Sequence, residues 1–154
     1  MKSFIIIIGC ALSLTIFCFT SCSKSAGTNA GAGPAAGADS VTIALSSGKW
    51  TISSLIQKTE DNTNSFAGYV FSFSAAGKLS AVKNGVEVQG TWSYTPAVTY
   101  YGSSSKNALS INTGTDNPFR RLTGTWNLVS GSSTVIKLDN PEILDDEHLQ
   151  LQKQ

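Results

Sequence analysis

The sequence is short of the residues that carry out chemistry. Its 154 residues hold three cysteines, at positions 10, 18 and 22, and one histidine, His148. Beyond Cys22 no thiol remains for a disulfide, a metal or a nucleophile. Metal sites gather Cys, His and carboxylates into clusters, and one histidine beside Asp145-Asp146-Glu147 is thin support for one. That acidic triplet reads as a solvated turn before the last strand, with a divalent-cation site as the alternative. A Gly-x-Ser-x-Gly elbow is missing, and with it the setting of many serine nucleophiles. Gly102 and the serines after it lack the pattern of a phosphate-cradling loop. Charge is scarce: 14% of residues, with 11 Lys and Arg against 10 Asp and Glu and a formal net charge of +1. No basic stripe exists, so nucleic acid is not an expected partner. These absences predict a protein that is not an enzyme and uses no cofactor or metal.

What is present first is an apolar run. Met1-Lys2 makes a positive start, Phe4 to Phe19 is almost all apolar or small, and Thr20-Ser21-Cys22 follows. A charged start, an apolar stretch and a small-residue cut form the order of an export signal. The run is about sixteen residues, against the roughly 20 a spanning helix needs. It contains Ser13 and Thr15, and only Lys24 follows it as a basic flank. An ordinary cleaved signal and a transmembrane anchor are the alternatives. A cysteine at the cut, preceded by small residues, resembles the lipobox of bacterial lipoproteins. The resemblance implies that Cys22 becomes an acylated N-terminus and that the protein hangs from a membrane by lipid. Several acyl chains make such attachment stable where one is marginal.

The expected organisation has three parts: residues 1–21 as lipoprotein signal peptide, 22–47 as lipidated N-terminus and flexible linker, and 48–154 as one folded domain. Ser23 to Gly37 is mostly Gly, Ala, Ser and Thr, with no apolar face to bury. Val41-Thr42-Ile43-Ala44-Leu45 reads either as a short entry strand or as a helical turn leaning on the end of the domain.

From Gly48 the period is two. Trp50, Ile52, Ser54 and Ile56 alternate with Thr51, Ser53, Leu55 and Gln57. Tyr69, Phe71 and Phe73 alternate with Val70 and Ser72. Val88, Gly90, Trp92 and Tyr94 alternate with the wholly polar Glu87, Gln89, Thr91 and Ser93. Such patterns mark antiparallel sheet with one buried face. Turn signals separate the runs, among them Asn84-Gly85, a pair suited to a tight hairpin. Tyr100 to Ser105 reads as a longer polar loop, and Asn117 to Leu122 as a single helical turn. The predicted strands are about 48–57, 66–74, 78–83, 86–95, 107–113, 123–130, 133–139 and 147–153. Sequential hairpins without a long crossover predict an all-β, eight-stranded antiparallel up-and-down barrel, whose closure leaves no exposed edge.

Gly-x-Trp occurs three times, at Gly48-Lys49-Trp50, Gly90-Thr91-Trp92 and Gly124-Thr125-Trp126, and holds every tryptophan in the chain. Glycine in a strand permits a bend or a close approach, and a residue two positions on shares its face. Together with Phe66 to Phe73, Ala76-Gly77-Lys78, Phe119 to Leu122 and Glu147 to Leu151, these residues resemble the lipocalin-like (calycin) superfamily. The wider pattern is similar to small lipocalin-like lipoproteins of Bacteroidetes-type bacteria. The resemblance implies a barrel with a cavity open at one end. Secreted lipocalins often add a C-terminal helix, a disulfide and a basic residue over the first tryptophan. This chain has room for neither of the first two; Lys153, Arg120 or Arg121 are the candidates for the third. In the lipoproteins it resembles, an acidic stretch after the lipid cysteine directs export to the outer face. Ser23 to Gly27 has none, which implies the periplasmic side of the outer membrane.

The cavity candidates are Trp50, Tyr69, Phe71, Phe73, Trp92, Tyr94 and Trp126. Rings of this kind line sites for small apolar or amphipathic ligands. Eight strands are also just wide enough for side chains to fill the interior. Two functions therefore stay open: binding of a small ligand, or, with a filled barrel, a protein–protein interaction module such as an inhibitor or accessory subunit. Partners are the membrane through the lipid, and a small apolar ligand or an envelope protein.

Overall fold

Strands with one apolar face bury that face most completely when the sheet closes on itself, and closure is what the chain adopts. The structure, a computed structural model, describes residues 38–142 and 144–154. The predicted signal peptide, Cys22 and residues 23–37 of the linker lie outside them. A helix, α1 (Ala38–Ser46), precedes β1 (Lys49–Gln57), a short β2 (Glu60–Asp61) and a 3-10 turn at Thr63–Phe66. Then come β3 (Val70–Phe73), β4 (Lys78–Lys83), β5 (Val86–Thr95), the small strands β6 (Thr99–Tyr100) and β7 (Ser103–Ser104), and β8 (Ala108–Asn112). A second 3-10 turn, Phe119–Arg121, leads into β9 (Gly124–Gly131), β10 (Val135–Asp139) and β11 (Glu147–Lys153).

Eight of these strands, β1, β3, β4, β5, β8, β9, β10 and β11, pair with their neighbours in chain order, and β11 pairs back onto β1. All pairings are antiparallel. The result is a closed, eight-stranded, up-and-down barrel. β2 extends the end of β1, and β6 and β7 form a separate two-stranded ribbon between β5 and β8. Strands β4, β5 and β11 span the residues expected of them. Asn84 and Gly85, at φ 51 and 79, make the predicted left-handed turn between β4 and β5.

Four local expectations are corrected. The folded part begins at Ala38, not Gly48: Val41, Ala44 and Leu45 fall on one face of α1 and are buried in the core, so the segment 22–47 is not linker throughout. The i, i+3, i+4 spacing of these three residues is the helical signature that decides it. The strand expected at 66–74 shrinks to β3, because Phe66 ends a 3-10 turn and Gly68 reverses the chain at φ 82. The strict alternation expected in β1 breaks where the register with β11 shifts between Ile52 and Ser54. That one-residue bulge turns Leu55 inward after Trp50 and Ile52. Finally, the polar loop at Tyr100 to Ser105 is the β6–β7 ribbon, turning at Tyr101-Gly102.

The three Gly-x-Trp triplets have three different physical reasons. At Gly48 a Cβ would strike Lys153 Cε; the bare glycine lets that side chain lie across the start of β1. The Lys153 ammonium sits 5.9 Å from the centre of the Trp50 ring and donates to Ser47 Oγ at 3.1 Å. Lys153 thus holds the position over the first tryptophan, while Arg121 bonds Gln57 instead. At Gly90 a Cβ would strike the Asn112 carbonyl oxygen, so only glycine permits the close passage of β8. Gly124 stands at φ 154, a conformation unfavourable for any residue with a side chain.

These contacts separate two alanine substitutions. Gly90→Ala forces backbone apart and is expected to cost about 2 kcal/mol, read by urea unfolding. Gly48→Ala displaces only the flexible end of Lys153 and is expected to cost about 0.5 kcal/mol or less. Equal costs would refute the assignment of the two glycines to different neighbours.

Candidate functional site

Each buried indole N–H needs an acceptor, and all three find one outside the barrel wall. Trp50 Nε1 donates to the Leu45 carbonyl of α1 at 3.1 Å. Trp92 Nε1 donates to the Ser74 carbonyl in the β3–β4 turn at 2.9 Å. Trp126 Nε1 donates to the Leu122 carbonyl after the second 3-10 turn at 3.0 Å. The tryptophans therefore fasten closing segments to the wall. α1 closes the end where β1, β4, β8 and β10 begin. At the opposite end Phe66 and Phe119 meet edge to face at 5.8 Å, and Tyr69 meets Phe119 at 5.1 Å. Thr113, a buried polar residue, donates to the Phe119 carbonyl at 2.8 Å and holds that turn down.

Of the seven cavity candidates, Trp50, Phe71, Phe73, Trp92 and Trp126 belong to one buried core, and Tyr69 and Tyr94 pack against it. They are brought together, with Phe73 against Trp92 at 5.6 Å. Trp50 and Phe71 are 0% and 1% exposed. Among the described residues, Phe73 lines one cleft and Trp92 another, while Trp50, Tyr69, Phe71, Tyr94 and Trp126 line none of the five. One cleft, of about 740 Å³, runs over β3, β4 and β5 and reaches Ser46 and Gly48. Its polar side carries Ser72, Ser80, Glu87, Gln89 and Thr91. Hydrogen bonds from Ser80 and then Gln89 hold the Glu87 carboxyl below the ordinary carboxylate range.

Tyr94 differs from the other rings. Its hydroxyl is buried with no hydrogen-bond partner among the described residues, and burial pushes its pKa up.

A second cleft, about 370 Å³, surrounds His148. Its Nδ1 lies 2.7 Å from Asp139 Oδ1 and its Nε2 lies 3.2 Å from Asp146 Oδ1. Carboxylates only accept, so the doubly protonated ring donates to both. The hydrogen bond to Asp139 is the main cause of a raised pKa, opposed by slight burial and aided by the charge of Asp139 and by Asp146. Both ring nitrogens are thereby taken up in joining the β10–β11 connection to its two strands. Among the described residues, no group of three or more His, Cys, Asp and Glu is placed to hold a metal ion. Nor is any described helix long and apolar enough to cross a membrane.

Sequence reasoning missed Leu45, Thr113 and Leu122. Their roles are to present a carbonyl or a hydroxyl to a partner four to six residues away across a turn, and side-chain type does not mark such a role. Cys22 lies outside the described residues. No protein-family model matches the chain, and no curated protein matches it. Among solved structures, the chain is similar to a DUF4847 family protein from Bacteroides vulgatus ATCC 8482, at 15% identity and a TM-score of 0.48. The match covers 71% of this chain and 96% of that one.

Two substitutions probe these sites. Tyr94→Phe removes a buried hydroxyl without a protein partner and is expected to raise stability by about 1 kcal/mol in chemical unfolding; a loss of that size would mean the hydroxyl is bonded. For His148 the folded pKa is raised, so its contribution is complete below the unfolded value of 6.5 and is lost as pH rises through the higher folded value. The side chain is 52% exposed, and solvent screening holds the effect to about 0.5 kcal/mol. Stability is expected to fall by this amount above pH 6.5, and His148→Gln to flatten the slope.

Proposed function

We propose that this protein is a lipid-anchored, lipocalin-like lipoprotein of the cell envelope, and that its barrel is a packed, non-catalytic binding module whose partners meet the outer surface. The observation that carries this reading is the filled interior. The rings that line a cavity in a ligand-carrying barrel here belong to or pack against one buried core, and both ends are closed by segments hydrogen-bonded to the wall. Lys153 over Trp50 supports the lipocalin-like reading, since a basic residue at that place belongs to the resemblance. The sequence before Ala38 supports acylation at Cys22 and a position on the periplasmic side of the outer membrane. The partner in this reading is an envelope protein, and the module acts on it as an inhibitor or accessory subunit. The cleft over β3, β4 and β5, with Ser80, Glu87 and Gln89, is the contact surface it offers.

A second reading, binding of a small amphipathic molecule, is favoured by the volume of that same cleft. About 740 Å³ falls inside the range of roughly 300–1,000 Å³ typical of ligand sites. Here the ligand lies over β3 to β5 against Phe73 and Leu79, away from Trp50 and Trp126.

Native mass spectrometry of the chain released from membranes in mild detergent separates the two. The packed module gives the mass of the processed chain plus the acyl groups on Cys22 and nothing more. It also yields a discrete protein adduct in intact cells from a photo-reactive side chain placed at Gln89. A retained small molecule, with no protein adduct, would replace the first reading by the second. A Cys22 peptide without acyl mass would remove the anchor.

A further inference from the structure

The net charge of nearly zero hides a separation along the barrel. Nine of the ten acidic residues lie toward the end away from α1: Glu60 and Asp61 in β2, Glu87 near the start of β5, Asp116 between β8 and β9, and the group from Asp139 to Glu147. Asp39, in α1, is the exception. The α1 end carries four lysines against that one acid, while Lys58, Lys83, Arg120 and Arg121 at the far end offset part of its nine acids. Lys49 opens β1, Lys78 opens β4, Lys106 precedes β8 and Lys153 closes β11. Strand pairing brings these positions to one end: Lys49 sits opposite Ser72 and Lys78 opposite Thr91, while Lys153 sits opposite Trp50.

The same end carries exposed apolar and aromatic groups. Ile43 of α1 is 64% exposed and adjoins an apolar cleft with Val41, Ala44 and Gly131. The β6–β7 ribbon continues beyond the ends of β5 and β8, with Val98, Tyr100 and Tyr101 all exposed. Tyr101, 92% exposed, is held at φ 46 in the turn, with its ring edge to face against Tyr100 at 4.4 Å. A bulky residue in the left-handed region is strained, and this one holds its ring out into solvent.

We propose that the α1 end is a docking face for a bilayer surface that carries anionic phospholipid headgroups. Tyrosine rings and a few aliphatic side chains suit the interfacial layer, where an apolar body and a polar tip are both satisfied. Lysines close to an anionic surface are attracted to it, within about a Debye length of 8–10 Å. The acidic end is repelled from the same surface, which sets the orientation. The chain enters the domain at this end, through Ala38, so an upstream anchor leaves this face free to reach the membrane. In that respect the proposal rests on the membrane attachment proposed above.

The test uses the full chain reconstituted into vesicles of phosphatidylethanolamine, with or without phosphatidylglycerol. Chymotrypsin cuts after Tyr100 and Tyr101 and reads the docking face; trypsin cutting at Arg120 and Arg121 reads the far end. Cleavage at the tyrosines is expected to slow about tenfold on the phosphatidylglycerol vesicles, and the protection to vanish at about 0.5 M NaCl. Lys49→Glu combined with Lys78→Glu, at exposed strand ends, abolishes it equally, while cutting at Arg120 and Arg121 is unchanged. Equal tyrosine cleavage on both vesicle types would overturn the proposal. So would equal protection of both ends, or tyrosine protection that appears only when an envelope protein fraction is added. Acyl mass on Cys22 is scored on the same samples. Its absence sinks the lipid anchor alone, because tyrosine protection on the phosphatidylglycerol vesicles is scored independently of it.

Discussion

A buried indole N–H without an acceptor is expensive, on the order of 1–3 kcal/mol, and this barrel turns that cost into architecture. Its wall is a plain antiparallel sheet. Backbone pairing alone closes the wall but leaves the ends unaddressed. The tryptophans address them, because each ring faces inward while its nitrogen reaches a carbonyl on a non-strand segment. Leu45, Ser74 and Leu122 supply those carbonyls. Glycines at 48 and 90 make room for the side chain or backbone that passes beside them, and Gly124 supplies a conformation that other residues avoid. The triplet is thus a device for fastening lids.

Once the lids are fastened, the interior has no further use for polar chemistry. Phe66, Tyr69, Phe71 and Phe119 pack edge to face or tilted at the end away from α1, and aliphatic residues of β8 to β11 fill the rest. Thr113 is buried among them and is satisfied by Phe119 and Thr123. Apart from Thr113 and the Tyr94 hydroxyl, the polar groups are mostly sent outside. Recognition in such a molecule belongs to the outer surface, where the serine, glutamate and glutamine side chains of β4 and β5 already order one another.

Charge placement adds a direction to that surface. An excess of acid at one end and of lysine at the other contributes little to the stability of a barrel this exposed, since surface pairs are worth little. It does give the molecule an electrostatic orientation in front of any charged plane. The strained Tyr101 turn and the exposed Ile43 stand at the basic end. One face of the barrel thereby combines cations, interfacial aromatics and the entry of the chain.

Much of this was legible in the residues, and the parts that were not share a cause. Period-two patterning determined eight strands, their order and the closed sheet, because burial of one face is a local rule repeated along the chain. The Asn84-Gly85 turn was equally local. The bulge in β1, the shortening of β3 and the docking of α1 depended on what each segment met across the barrel. Leu55 turns inward because β11 slips past β1, not because of any neighbour in sequence. The seven rings were identifiable as inward-facing, but whether they enclose space or fill it is a question of volume. Only the assembled wall, with α1 and two 3-10 turns pressed into its ends, decided that. The charge separation escaped for the same reason: a sum over residues is blind to position, and position along a barrel exists only once the strands are paired.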